Sequence, residues 1–482
     1  MSLKGNFVYS TIITISNYLF PMIVFPYVSR TLGLENVGIC NFIDSIVTYF
    51  VFFSMMGIMT MGIREVAASR EDRQRRSTVF SSLLVLNGLF TLLAILGLGV
   101  FTFCVDAVSE YRNMMYIGMF KLACNFLLIE WLYQGLEEFK YITQRTLIVK
   151  TCYILAVFLL VKDRGDYELY YLLTTLMVTF NALVNIVYSR KYVSFSFRHL
   201  QLGKCFRPYI TLGWYMILSN MYTSFNITYL GFVATKAEVG DFSTATKLFT
   251  LFIMPYTSLS RVVMPRMSTL SSLGEKEKMR ELIGKSFSCL LTFSVPLFLV
   301  FCCFSSDIVL LIFGDEFVGV AQPMRIIAPL FLIVCYEQIL VMQILIPVKA
   351  DKAILTISSI GACVGIGLNL ALVPILLKVG SSVAWVVSEL CVLLAAQYFV
   401  GKRDIWKFPV SQFFKYVLTY LPVALICLYI HATLSLPLVP KLLIEFFLLA
   451  IAYLTIEIIV FKNTILLSLR HTICQRLKSF KS

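Results

Sequence analysis

From Asn6 almost to the C-terminus, long apolar runs alternate with short polar connections. About 14 runs reach 17 or more residues, enough for a helix to cross the ~30 Å hydrocarbon core of a bilayer. The pattern predicts spans at 6–30, 36–61, 79–103, 112–133, 146–162, 168–190, 208–232, 244–267, 285–304, 323–346, 352–376, 381–400, 412–432 and 441–461. In hydrocarbon each backbone polar group must be satisfied within its own segment. The expected fold class is therefore an all-α polytopic membrane protein with 14 transmembrane helices. The first run follows a single lysine and lacks a small-residue cleavage site, so it reads as a retained helix.

Composition agrees, since 59% of the 482 residues are hydrophobic and only 14% are charged. The net charge of +14 is unevenly spread. The connections beginning at Gly62, Gln134, Lys191, Ser268, Pro347 and Gly401, with the two termini, hold most of the lysines and arginines. Cytoplasmic loops carry such an excess, which places both termini in the cytoplasm. No connection is long enough to be a basic folded domain, so nucleic acid is not an expected partner. The 13 cysteines lie mostly inside apolar runs and form no CxxC. The three histidines, His199, His431 and His471, all fall outside mid-span positions, so neither a metal site nor a cofactor is expected. The outward connections are short, and the longest, 305–322, is partly apolar. On the inner side, 273–287 places Met279, Leu282, Ile283 and Phe287 on one helical face, which predicts an interfacial amphipathic helix. The C-terminal tail, with Arg470, Arg476, Lys478 and Lys481, is expected to rest on anionic headgroups.

A faint internal repeat runs through the chain. Val37-Gly38 returns as Val239-Gly240 and Arg64 as Arg266, both at an offset of 202, while Asn17-Tyr18 is echoed by Asn220 and Tyr222. Together these predict two similar bundles, spans 1–6 within residues 1–207 and spans 7–12 within 208–404. Residues 405–482 then supply an appended pair, spans 13 and 14, and the basic tail. Prolines at 21, 26, 255, 265, 296, 329, 374 and 422 interrupt spans in both halves, which suits lobes that rock but is also common in membrane helices.

Ionisable groups inside spans are costly unless paired or hydrated, and they mark the candidate chemistry. Lys121 lies deepest, near the middle of span 4. Lys247 and Arg261 share span 8, and Arg64 and Arg266 sit at the inner ends of spans 2 and 8. These five read either as a cationic, water-filled cavity for an anion or as internal ion pairs and inner-leaflet anchors. Asp44, Glu130, Glu337 and Glu389 are candidates for gating or ion coupling, with a structural counter-ion as the alternative. Asp44 and Lys247 occupy near-equivalent places in the two halves, so they are expected to pair when the outer end closes. Asn17, Asn125 and Asn220 are candidates to contact sugar hydroxyls, although interhelical hydrogen bonding is the commoner role of intramembrane asparagine.

Several stretches resemble the polysaccharide-transport family of lipid-linked oligosaccharide flippases, of the O-antigen type, within the multidrug/oligosaccharidyl-lipid/polysaccharide exporter superfamily. These are Phe25-Pro-Tyr-Val-Ser-Arg-Thr-Leu-Gly33 through Val37-Gly38, and Gly62-Ile-Arg-Glu-Val66. The most specific is Trp131-Leu-Tyr-Gln-Gly-Leu-Glu137 with Phe139-Lys-Tyr-Ile-Thr143 and Arg145. Lys247-Leu248, Ile312-Phe-Gly314 with Phe317, and Gln343-Ile-Leu-Ile-Pro347 also fit. The resemblance implies two six-helix lobes around a central cavity, plus two C-terminal helices. It implies a substrate, an oligosaccharide repeat unit on undecaprenyl pyrophosphate, moved from the inner to the outer leaflet of the bacterial cytoplasmic membrane by alternating access. A pyrophosphate needs cations, and Lys121, Lys247, Arg261 and Arg64 would supply them. The implied partners are the lipid-linked oligosaccharide, membrane lipids and the polysaccharide polymerase machinery, with H+ or Na+ as coupling ion.

The alternatives are a drug/cation antiporter of the same superfamily and, from another class, a membrane-embedded polymerase or glycosyltransferase. The antiporters resemble 12-span proteins with acid-led cavities, which this chain is not. An enzyme would need an extracytoplasmic loop with acidic catalytic residues, and the segment from Asp307 to Asp315 and Glu316 is short and apolar. The chain is therefore not expected to be an enzyme.

Overall fold

The computed structural model describes residues 3–197, 200–434 and 436–461. Among these no strand occurs. The helices, in chain order, are α1 (Leu3–Leu32), α2 (Leu34–Met55), α3 (Ile58–Ala68), α4 (Arg73–Cys104), α5 (Arg112–Asn125), α6 (Glu130–Gly135), α7 (Phe139–Leu160), α8 (Tyr167–Ser189), α9 (Leu202–Val233), α10 (Lys236–Ser272), α11 (Lys276–Cys303), α12 (Ser305–Phe313), α13 (Ala321–Ile327), α14 (Leu330–Gln338), α15 (Asp351–Gly401), α16 (Val410–Thr433) and α17 (Leu438–Ile459). Eleven helical stretches among the described residues are long and apolar enough to cross a membrane, twelve if the bent pair Asp315–Ile327 and Leu330–Leu345 is one span. The 51-residue α15 is two helices joined at Leu377, whose φ of 52° breaks the helical path. The basic tail, His199 and His471 lie outside the described residues, as does the side chain of Asn220.

The chain forms two compact units, Met1–Ser243 with Ile366–Ser381, and Thr244–Gly365 with Ser382–Ser482. In the first, α2 is central and packs against α4, α5 and α9, while α1 lies on α7 and α5 on α8. Its inward face, Phe42, Ile43, Ile46 and Val47, is buried. The 202-residue offset has a physical use here. A Cβ on Gly38 would lie 1.8 Å from the Lys236 carbonyl oxygen, and one on Gly240 would lie 2.4 Å from the Leu34 carbonyl oxygen. Lys236 follows Leu34 by the same offset that separates Gly240 from Gly38, so the contact is reciprocal, as at a two-fold axis. Asn41 Nδ2 donates to Ser243 Oγ at 2.7 Å, again 202 residues on. Only glycine lets the starts of α2 and α10 approach backbone to backbone.

In the second unit α11 packs against α14 and α16, and α16 pairs with α17. Phe287, Leu290, Leu291, Phe301, Phe331 and Tyr336 fill the space between them. Two expectations change. Residues 276–287 are not a separate interfacial helix, because α11 runs unbroken from Lys276 to Cys303. Met279, Ile283 and Phe287 are buried in protein, and Arg280 bonds the carbonyl oxygens of Ile405 (3.1 Å) and Asp404 (2.8 Å). The apolar face found a protein partner, which removes its reason to lie on lipid. The 305–322 connection is helical too, as α12 followed by a 3-10 turn, Asp315–Val320.

Candidate functional site

Within helices of membrane-spanning length in the first unit, α2 carries Asp44, α5 carries Lys121 and α8 carries Tyr171. Gly118, nearly one turn before Lys121, lies against Val47; a Cβ there would come within 2.5 Å of Val47 Cγ2. The helices are thus close enough for the Lys121 ammonium to pair with Asp44 Oδ1. Tyr171 Oη donates to the same oxygen at 3.3 Å, and its ring centroid lies 5.6 Å from Lys121 Nζ. The lysine side chain is 20% exposed and the carboxylate 43%, so the pair is embedded on its cationic side and open at the acid. A charge inside a span is tolerable when so partnered.

Nearer the connection that precedes α7 lies a second cluster. The chain breaks at Ile129, which takes φ 39°, and α6 begins at Glu130. Glu130 Oε1 accepts from Arg145 Nη2 at 2.6 Å, and Arg145 Nη1 donates to Asn185 Oδ1 at 2.5 Å. Asn185 in turn donates to the Leu128 carbonyl oxygen, and Tyr133 donates to the Asn185 carbonyl oxygen. Tyr141 Oη reaches Asn185 Oδ1 at 3.0 Å. Arg145 is 3% exposed, so this knot fixes the broken helix in the core. Gly62 closes it from α3, where a Cβ would meet the Trp131 ring at 2.6 Å. The two stretches Gly62–Val66 and Trp131–Arg145, which carried the resemblance, are therefore packed on each other. Glu130 sits here as the counter-ion of Arg145.

The remaining candidates fall as follows. Asn17 accepts from Lys150 Nζ at 2.5 Å. Asn125 is half-buried at the end of α5. Arg64 is exposed and pairs with its neighbour Glu65 at 3.1 Å. In the second unit, α10 holds Lys247 half-buried and Arg261 and Arg266 exposed. Glu337 of α14 and Glu389 of α15 are brought together carboxyl to carboxyl, and Trp385 Nε1 donates to Glu389 Oε1 at 3.1 Å.

Sequence reasoning passed over Lys150 and Lys378 and set His431 aside. Lys150 stands mid-way along α7, because that helix begins seven residues before the expected start of span 5. Lys378, beside the Leu377 kink, pairs with Asp241 at 2.6 Å and Glu238 at 3.2 Å, a triad that apolar periodicity could not reveal. His431 belongs to a polar cluster in the second unit that its position near a helix end had argued against.

Membrane-length helices with paired charges inside them define a polytopic membrane protein. The fold is similar to that of the lipid II flippase MurJ in an inward closed conformation, with a TM-score of 0.74 over 95% of this chain and 100% of that one at 13% identity. It is also similar to an inward-facing multidrug resistance MATE family transporter of the MOP superfamily, with a TM-score of 0.63 over 80% of this chain and 94% of that one at 13% identity. The chain belongs to the polysaccharide biosynthesis protein family, whose model matches residues 3–271. A protein of Escherichia coli (strain K12) named for O-antigen transport is 22% identical over 414 residues, covering 84% of this chain and 98% of the relative.

Proposed function

We propose that this protein is a flippase that carries an undecaprenyl-pyrophosphate-linked oligosaccharide repeat unit from the inner to the outer leaflet of the bacterial cytoplasmic membrane. Family membership and the MurJ-like fold support the class of activity. The observation that carries the chemistry is Lys121, a cation at membrane depth whose acidic partner is more exposed than it is. Asp44 holds the ammonium in the absence of substrate, and a diphosphate, richer in charge and in acceptor oxygens, takes its place. Lys247, Arg261, Arg64 and Arg266 are the further cations of the path. Asn17, Asn125 and Asn220 are its polar contacts to glycan.

Fourteen spans underlie this reading. The kink at Leu377 divides α15 in two, the bent pair is one span, and the 32-residue apolar α9 is another. Spans 1–6 (1–207) and 7–12 (208–404) are the alternating lobes, spans 13 and 14 are appended, and both termini are cytoplasmic. Glu337 and Glu389 are the coupling candidates, for H+ or Na+. The exported unit is then consumed by the polymerase machinery.

The test is genetic and chemical. Deletion of the gene is expected to leave one lipid-linked glycan accumulated on the inner leaflet, restored to export by the wild-type gene and not by Lys121→Met. Normal glycan export in the deletion strain, with altered efflux of small cations instead, would favour the antiporter reading and end this one.

A further inference from the structure

The second unit holds a polar cluster that the transport reading does not use. Asp307 lies in the first turn of α12, His431 near the end of α16, and Lys441 and Glu445 one turn apart near the start of α17. His431 Nδ1 is 3.1 Å from Glu445 Oε1 and 3.6 Å from Asp307 Oδ2. Lys441 Nζ is 3.1 Å from Asp307 Oδ2. Glu445 is 2% exposed, and its Oε2 has no hydrogen-bond partner among the described residues. A carboxylate so buried with an idle oxygen is costly, and it asks for a cation.

We infer that Asp307, His431 and Glu445 form a site for a divalent first-row transition ion of the zinc class. The three ligand atoms lie within 4.8 Å of one another. Bonds of about 2.0–2.1 Å to a tetrahedral zinc put ligand atoms roughly 3.3 Å apart, and the two histidine distances, 3.1 and 3.6 Å, bracket that edge. One imidazole nitrogen with two carboxylates suits zinc better than calcium or magnesium, which prefer all-oxygen shells. Lys441 stands in for the ion. It neutralises Asp307 when no metal is bound, and must swing away when one is. The imidazole has to offer Nδ1 without its proton. Each ligand comes from a different helix, so a bound ion ties α16 and α17 to α12. The inference stands whether or not the chain moves a glycan lipid.

The experiment is titration of the purified, untagged full-length protein in nanodiscs with Zn2+ alone, followed by calorimetry and by metal content after desalting. One equivalent is expected for the wild type and for the His199→Gln, His471→Gln double variant, and none for His431→Gln. Glu445→Gln, nearly isosteric, guards against misfolding and is expected to weaken binding at least tenfold. Lys441→Gln is expected to tighten it at least tenfold, because the competing charge is gone. A thermal midpoint raised by Zn2+ in the wild type and unmoved in His431→Gln adds to the case. Absence of stoichiometric uptake by the wild type, equal uptake by His431→Gln, or weaker binding by Lys441→Gln would each overturn the assignment.

Discussion

The pairing of Lys121 with Asp44 yields a prediction that separates binding from scaffolding. Replacing Lys121 by Met leaves Asp44 with Tyr171 as its hydrogen-bond donor. Breaking a fully buried pair on one side costs about 3–5 kcal/mol. The Asp44 side chain is 43% exposed, so water takes up much of that, and about 1–2 kcal/mol of stability is expected to go. Asp44→Asn is expected to cost about the same. Function should divide differently. A hydrogen bond from an ammonium to a phosphate oxygen is worth about 1.5–3 kcal/mol, so Lys121→Met should weaken binding of an undecaprenyl diphosphate about 10- to 150-fold. Asp44→Asn removes the group that competes with the diphosphate and should bind it as tightly as the wild type or tighter. The double variant should match Lys121→Met. Binding is read in nanodiscs with undecaprenyl pyrophosphate, export by complementation of the deletion strain, and stability by thermal unfolding. A double variant that binds and exports like the wild type would show the pair to be structural, and the headgroup would have to be held elsewhere.

Other consequences can be checked in the same assays. Gly38→Ala and Gly240→Ala each drive a methyl into a facing carbonyl, so each should lower stability by about 1–3 kcal/mol; because the contact is reciprocal, the double variant should cost less than the sum, and full additivity in thermal unfolding would contradict the paired crossing. Arg145→Met strands Glu130 and unties Asn185, so a loss of about 3–5 kcal/mol is expected, and an unchanged melting curve would count against the knot. Glu337→Gln and Glu389→Gln each keep a hydrogen-bond donor facing a carboxylate, so the fold should survive while export loses its response to a collapsed proton gradient; wild-type response in both variants would remove the pair from coupling.

How much could be read beforehand follows from which forces act locally. Spans were legible because hydrocarbon imposes a length and a composition on each helix by itself. Starts and breaks were less so. Lys150 went unremarked because span 5 was expected to begin only at residue 146, yet Thr143 and Ile142 are buried and the helix begins at Phe139. What extends it is packing on α1 and the Asn185 knot, both remote in sequence. Ion pairing was the least legible level. The pairing of Asp44 with Lys121 went unread, because a carboxylate takes the cation that helix packing delivers, and Gly118 against Val47 brings α5 close to α2. His431 was set aside for lying outside mid-span, a rule about the cost of desolvation that says nothing of what Asp307 brings from 124 residues away. The repeat shows the converse. Val37-Gly38 and Val239-Gly240 were chance-level matches one by one, and their meaning came from the facing carbonyls of Lys236 and Leu34. A glycine kept at both ends of a duplicated segment is most simply required where the two copies touch, because a self-complementary crossing constrains both partners by one steric rule.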